Sequence, residues 1–427
     1  MNHMTTCAQK IKEAIDSPKQ LEQLYHSDKE AFRDAFPHVF SQQPESVLLQ
    51  AWHERLSYPI TKNNPPTSSF NWNAKDLYLV IGIALIAGSI AKIPQFAGDT
   101  ATELFYVRNL GLLIVGAIMS YFVIERKCDK KTTGWISGFA LISFAYVNLT
   151  PAPNKSDTSA LVSLHLPFVF WSLTGVAFLK GKLKDLPGRM QYIRYNGELV
   201  IFTTIIMIGG MVLTLMTFAL FDLIDLKIEE FYLKNIGLYG GVSAPLVATF
   251  LITKIVGTRL RIAPLLAKIF TPLFLLMTSV YLVTMVLNQQ SPFTDRNFLI
   301  AFNGLLLLVL GLCIFSISER GNDSSEGLMD YLNIALVTVT LGINAIALAA
   351  ILFRLSSYGF TPNRIAVLGA NILAFSHLAV VLKNYIQFVR KKQSFENLEQ
   401  WVVRFLPAYT CWSLLVVFVL PLLFGFK

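Results

Sequence analysis

Residues 331–386 read YLNIALVTVTLGINAIALAAILFRLSSYGFTPNRIAVLGANILAFSHLAVVLKNYI: two apolar runs, 331–353 and 364–386, joined by the polar stretch FRLSSYGFTPNR at 353–364. An α-helix rises about 1.5 Å per residue, so roughly 20 apolar residues cross a hydrocarbon core about 30 Å thick. Both runs reach that length. The stretch between them is turn chemistry: Gly359 is free to take positive φ, Pro362 fixes its own φ, and Thr361 and Asn363 favour a turn. A tight helical hairpin is expected, with Arg354 ending one helix and Arg364 beginning the next.

The same pattern extends in both directions. Apolar runs lie near 76–96, 104–124, 133–149, 160–179, 198–221, 234–256, 263–287, 297–317, 331–353, 364–386 and 405–426. They are too long and too uniformly apolar to be barrel strands, and lipid offers no partner for backbone N–H and C=O groups, so helices are required. The expected fold is all-α: a polytopic helical membrane protein of about 11 transmembrane helices over 76–427. Composition agrees, because hydrophobic residues make up 54% of the chain and charged residues only 15%, far from the balance of a soluble domain.

Orientation follows from the basic residues, which cytoplasmic loops keep and translocated loops largely lack. Every second loop is basic: Arg126, Lys127, Lys130 and Lys131; then Lys180, Lys182, Lys184, Arg189 and Arg194; then Lys254, Arg259, Arg261 and Lys268; then Lys383, Arg390, Lys391, Lys392 and Arg404. The alternate loops are poorer in them: one carries Arg108, another Lys155, another Lys227 and Lys234, and the loop at 353–364 has Arg354 and Arg364, which this alternation does not explain. The expectation is a cytoplasmic amino terminus and an outward carboxyl terminus, with Arg320 in the loop whose charge speaks least clearly. The net charge of +9 is then an excess on inward loops facing anionic lipid headgroups, and nucleic acid is not an expected partner.

Residues 1–58 differ. They are polar, with apolar residues spaced by three and four, and read as a small cytosolic helical domain followed by a linker at 59–75. Ser17-Pro18 and Ser27-Asp28 are helix starts, and a further helix beginning near Pro44 buries Leu48, Leu49, Trp52 and Leu56. Such a domain packs as a small bundle or docks a second protein. No cleavable leader is expected, because these residues lack a continuous apolar core.

Within the runs, chemistry would have to come from a few polar side chains: Asn303, Asn344, Asn371, His165 and His377. They either line a substrate path or make interhelical hydrogen bonds. Asn371 lies about 120° around the helix from His377, so the two do not converge. Gly237, Gly240, Gly241, Ser243 and Pro245 suggest an interrupted helix, a device that transporters use. The four cysteines are scattered, and no H-E-x-x-H, G-x-S-x-G or P-loop occurs. Neither a metal, a cofactor nor a catalytic residue is indicated, and an enzyme is not expected.

The segment Arg354-Leu-Ser-Ser-Tyr358-Gly359-Phe360-Thr361-Pro-Asn-Arg364 resembles the R-x-x-x-Y-G-L-T-x-x-R segment of an uncharacterised bacterial multi-pass membrane-protein family, domain of unknown function number forty-one fifty-three. Phe360 stands where that family has leucine, and KIFTPLFLLMTSVYLVTMVL at 268–287 is similar to the family's proline-leucine span. The resemblance implies a protein of the bacterial inner (cytoplasmic) membrane and covers the membrane domain alone. Two functional classes stay open. One is a transporter or flippase-like protein for a small or lipid-linked substrate, with Arg354, Tyr358, Gly359, Thr361, Arg364, Asn344, Asn371 and His377 as candidate substrate or lipid contacts. The other is a scaffold or envelope sensor that recruits a protein partner through the amino-terminal domain.

Overall fold

The computed structural model describes residues 2–57, 74–222, 227–256, 271–276, 278–280, 282–283, 296–318, 320 and 327–427. The chain divides into two compact units, Met1–Phe70 and Asn71–Lys427, and all secondary structure among the described residues is helical.

The first unit contains α1 (Asn2–Glu13), α2 (Pro18–Ser27), α3 (Lys29–Phe40) and α4 (Val47–Ser57). Proline opens α2 as expected, whereas α3 is capped one residue later than Ser27: the Asp28 carboxylate accepts from the Ala31 N–H at 3.0 Å. The apolar spacing turns Ile11, Leu21, Phe32, Phe36 and Leu49 inward, all essentially without solvent contact. Phe32 meets the rings of Tyr25 and Trp52 at 5.6 and 5.1 Å. Arg55 lies 4.4 Å over the Trp52 ring and donates to both Glu22 oxygens, at 2.5 and 3.0 Å, tying α4 to α2. That hydrogen bonding holds the Glu22 carboxyl below its ordinary range.

The second unit contains α5 (Ala74–Lys92), α6 (Asp99–Glu125), α7 (Lys130–Leu149), α8 (Asp157–Phe178), α9 (Leu186–Asp222), α10 (Glu229–Tyr232), α11 (Leu238–Phe250), α12 (Arg296–Ser318), α13 (Leu328–Tyr358), α14 (Pro362–Val389), α15 (Phe395–Arg404), α16 (Leu406–Leu414) and α17 (Leu420–Leu423). Among the described residues, eight helical stretches are long and apolar enough to cross a membrane, and many of their large apolar side chains, such as Leu141, Ile208 and Leu213, point outward. Apolar surface of that kind on long helices is what lipid solvates. The unit is a multi-pass helical membrane protein.

The count of eight is lower than the expected eleven for identifiable reasons. The run at 133–149 does form a helix, α7, but its first turn carries Lys130, Lys131, Thr132 and Thr133, which leaves too short an apolar stretch to count among the eight. In α12 the apolar part, Phe302–Ser318, is short. The run at 263–287 falls largely outside the described residues, as do the 59–75 linker with Trp72 and the basic residues Arg259, Arg261 and Lys268. The last run begins earlier than expected, because the amphipathic α15 leads through Pro407 into α16.

The interrupted segment expected at Gly237–Pro245 is not found. α11 continues through Pro245 without a break and is flanked by wider π-helical turns at Leu233–Gly237 and Leu251–Val256. A proline ring crowds the carbonyl four residues back, and that position is Gly241, which has no side chain to add to the crowding.

Contacts sort the loops into two ends. At one end Lys254 pairs with Asp76 (3.5 Å) and Glu125 (3.3 Å), Arg189 donates to Val403 O, Arg194 reaches Ser318 O and Glu399, and Arg320 pairs with Asp330. At the other, Arg108 reaches Thr150 O, Ser156 donates to Phe426 O, and Asp157 shares a cleft with Arg354 and Arg364. The described residues of the basic loops thus gather at one end, and Arg320, whose own charge was least informative, lies with them.

Candidate functional site

The hairpin forms as its sequence dictates. α13 stops at Tyr358, Gly359 turns the chain at φ 75° and ψ 178°, and the Thr361 hydroxyl accepts the Arg364 N–H at 3.3 Å as Pro362 opens α14. That combination of φ and ψ is open essentially to glycine alone. Replacing Gly359 with alanine is therefore expected to cost about 1–3 kcal/mol, read as a lowered unfolding midpoint of the purified protein in detergent. An unchanged midpoint would show that the turn relaxes freely.

The last carbonyls of a helix have no intrahelical donor. Arg364 supplies one: its Nη1 donates to Tyr358 O at 2.8 Å and Gly359 O at 2.7 Å, while the guanidinium stands 5.7 Å over the exposed Tyr358 ring. Arg108 does the same for α7, donating to Thr150 O at 2.5 Å and Asn148 O at 3.4 Å. Arg364 and Arg108 thus both serve as clamps on helix termini.

Arg354 is different. Among the described residues its guanidinium has no hydrogen-bond or ion-pair partner, and its Nε is sealed from solvent. It lines a cleft of ≈ 370 Å³ between α12, α13 and α14, together with Asn303, Thr361, Asn363 and Arg364. The Asn303 Oδ1 is likewise buried and unbonded. Asp157, in the first turn of α8, adds one carboxylate at the rim. Two guanidinium groups and the amino-terminal end of a 28-residue helix outweigh that single charge, so the cleft favours an anion.

The eight candidate residues do not converge on one site. Arg354, Thr361 and Arg364 line the cleft, and Tyr358 and Gly359 build its lip. Asn344 and Asn371 meet each other between α13 and α14, the Asn344 amide reaching Asn371 O at 3.5 Å. His377 is fully buried elsewhere: its Nδ1 is 3.0 Å from the Tyr409 hydroxyl, and its ring stacks on Phe405 at 4.4 Å. The reason is the helical period, which puts residues 371 and 377 on different faces of α14. His165, in α8, sits 3.0 Å from Leu161 O within its own helix.

One polar cluster escaped the sequence reading. Asp330 is buried in the first turn of α13, where it accepts from the Gly327 N–H at 2.9 Å, the Tyr385 hydroxyl at 2.9 Å and Arg320 at 3.0 Å. Asn333 joins it, donating to Ser316 and Tyr385. The only sequence signal was an acidic residue three positions after Gly327, the spacing of a helix start. Among the described residues, no group of three or more His, Cys, Asp or Glu side chains is placed to hold a metal.

No protein family, curated protein or solved structure matches the chain.

Proposed function

We propose that this integral membrane protein recognises a phosphate-bearing anion, free or lipid-linked, in the cleft of Arg354 and Arg364, as the substrate-contacting site of a transporter or flippase-like protein. One observation carries the reading: the Arg354 guanidinium has no described protein partner, yet faces a cleft that already holds a second arginine and a helix amino terminus. A guanidinium offers five donors in a planar fork that matches phosphate, and the buried Nε of Arg354 is a donor that no described protein group takes up.

Under this reading the basic end faces the cytoplasm of a bacterial inner membrane and the cleft faces outward, in keeping with the alternation of basic loops. Arg364 is then a shared group, which closes the end of α13 and lends its charge to the cleft. The pair Asn344 and Asn371 lies further along the same two helices, buried between them, with the Asn344 amide reaching Asn371 O. The alternative of a scaffold rests on the amino-terminal unit, whose apolar side chains turn into its own core.

The class is tested in vesicles containing the purified protein and a trace of fluorescent phospholipid, with dithionite quenching as the measure of transbilayer movement. The expected result is faster movement than in protein-free vesicles, and its loss in Arg354→Gln. Movement equal to that in empty vesicles, with phosphate uptake also at background, would leave recognition without carriage and contradict the transporter reading.

A further inference from the structure

A second concavity lies at the opposite, basic end of the membrane unit and has the opposite chemistry. It is a groove of ≈ 290 Å³ between α7, α8 and α16, walled by Trp135, Phe139, Trp171, Leu179, Leu406 and Leu414. The polar atoms near it are occupied within the protein. The Ser172 and Thr410 hydroxyls pair at 2.8 Å, the Trp171 indole donates to Asn196 at 2.7 Å, and the Tyr192 hydroxyl donates to Trp171 O at 2.7 Å. The Arg189 guanidinium is spent on Val403 O and Leu183 O. Water entering such a groove would lack the two to four polar partners it needs, so an apolar chain is the fitting occupant.

The mouth of the groove is charged. Leu183 lines it, with exposed Lys182 and Lys184 on either side. Lys131, also exposed, stands one helical turn before Trp135 on the same face of α7. The two loops meet there, since a Cβ added at Gly181 would lie 3.0 Å from Thr132 Oγ1. Two carboxylates lie nearby, Asp129 accepting from the Thr132 N–H at 3.4 Å and Asp185 from the Gly188 N–H at 3.0 Å; both keep their charge, but Lys127, Lys130, Lys131, Lys180, Lys182 and Lys184 outnumber them.

We infer that this groove is a site for one anionic phospholipid, its acyl chain lying against Trp135, Trp171 and Leu406 and its phosphate on Lys131, Lys182 and Lys184. Apolar walls bind the chain, and the lysines select the headgroup by charge. The site is separate from the arginine cleft and does not depend on what that cleft binds.

The test places the full-length protein in nanodiscs of equal phosphatidylglycerol and phosphatidylcholine, then extracts it into detergent and weighs the retained lipid by native mass spectrometry. Wild type should retain phosphatidylglycerol at least tenfold over phosphatidylcholine. The triple variant Lys131→Gln, Lys182→Gln, Lys184→Gln should lose that preference while still retaining lipid. A second readout leaves the lysines in place: brominated phosphatidylglycerol should quench tryptophan fluorescence of the wild type more than brominated phosphatidylcholine, and the excess should vanish in Trp135→Phe/Trp171→Phe. Equal retention of the two lipids by wild type, an unchanged preference in the triple variant, or equal quenching by the two brominated lipids would overturn the assignment.

Discussion

Asp330→Ala is expected to destabilise the membrane unit by about 3–5 kcal/mol, the cost of removing one partner from a buried ion pair. The side chains of Arg320 and Asp330 are 15% and 4% exposed, so the charge left on Arg320 could not simply return to water. The guanidinium is also held over the rings of Phe388 and Phe395, at 4.6 and 4.5 Å, which fixes it against α14 and α15. Removing Asp330 takes an acceptor from the Tyr385 hydroxyl and from the Gly327 N–H at the same time. Asp330→Asn separates the contributions, because it keeps an acceptor for Tyr385 and loses the charge; a smaller loss is expected. Unfolding of the purified protein in detergent measures both, and an alanine variant as stable as the parent would show that the pair is not a structural tie.

The two hairpin arginines should respond in opposite ways to charge removal. Arg364→Ala deprives Tyr358 O and Gly359 O of a charged donor, and bonds of that kind are worth about 1.5–3 kcal/mol where buried and less in a solvent-exposed turn such as this one. A loss of about 1–2 kcal/mol, with a fall in folded protein, is expected. Arg354→Gln removes a charge that has no described partner, so folding should be unaffected or slightly improved. Equal losses in both variants would make Arg354 a second clamp and remove the basis for the cleft as a ligand site.

How much of this could be read in advance follows from the range of the forces involved. Gly359, Thr361 and Pro362 act on their immediate neighbours, and the hairpin they predict is the one observed. The two-ended sorting of the basic loops was also legible, because it depends only on which loops carry charge. The difference between Arg354 and Arg364 was not. Both stand in one polar stretch, and only the fold shows that one reaches back to helix-end carbonyls while the other opens into a cleft with Asn303.

Burial of Asp330 was hidden for a related reason. Its side-chain partners Arg320 and Tyr385 come from a loop and from α14, and no local pattern joins them to it. The glycines and proline near residue 241 misled in the other direction. Composition announces that a helix could break there, whereas packing of Val242, Ala244 and Leu246 into the core keeps α11 continuous.

The central claim is that Arg354 is held ready for an anion. It is tested most directly by following thermal unfolding of the purified wild type and Arg354→Gln in detergent, with sodium phosphate or glycerol phosphate titrated against sodium chloride at constant ionic strength. The account predicts a rise in the wild-type midpoint that saturates with either phosphate, and no rise in Arg354→Gln despite an unchanged starting midpoint. Identical responses of the two proteins would contradict it.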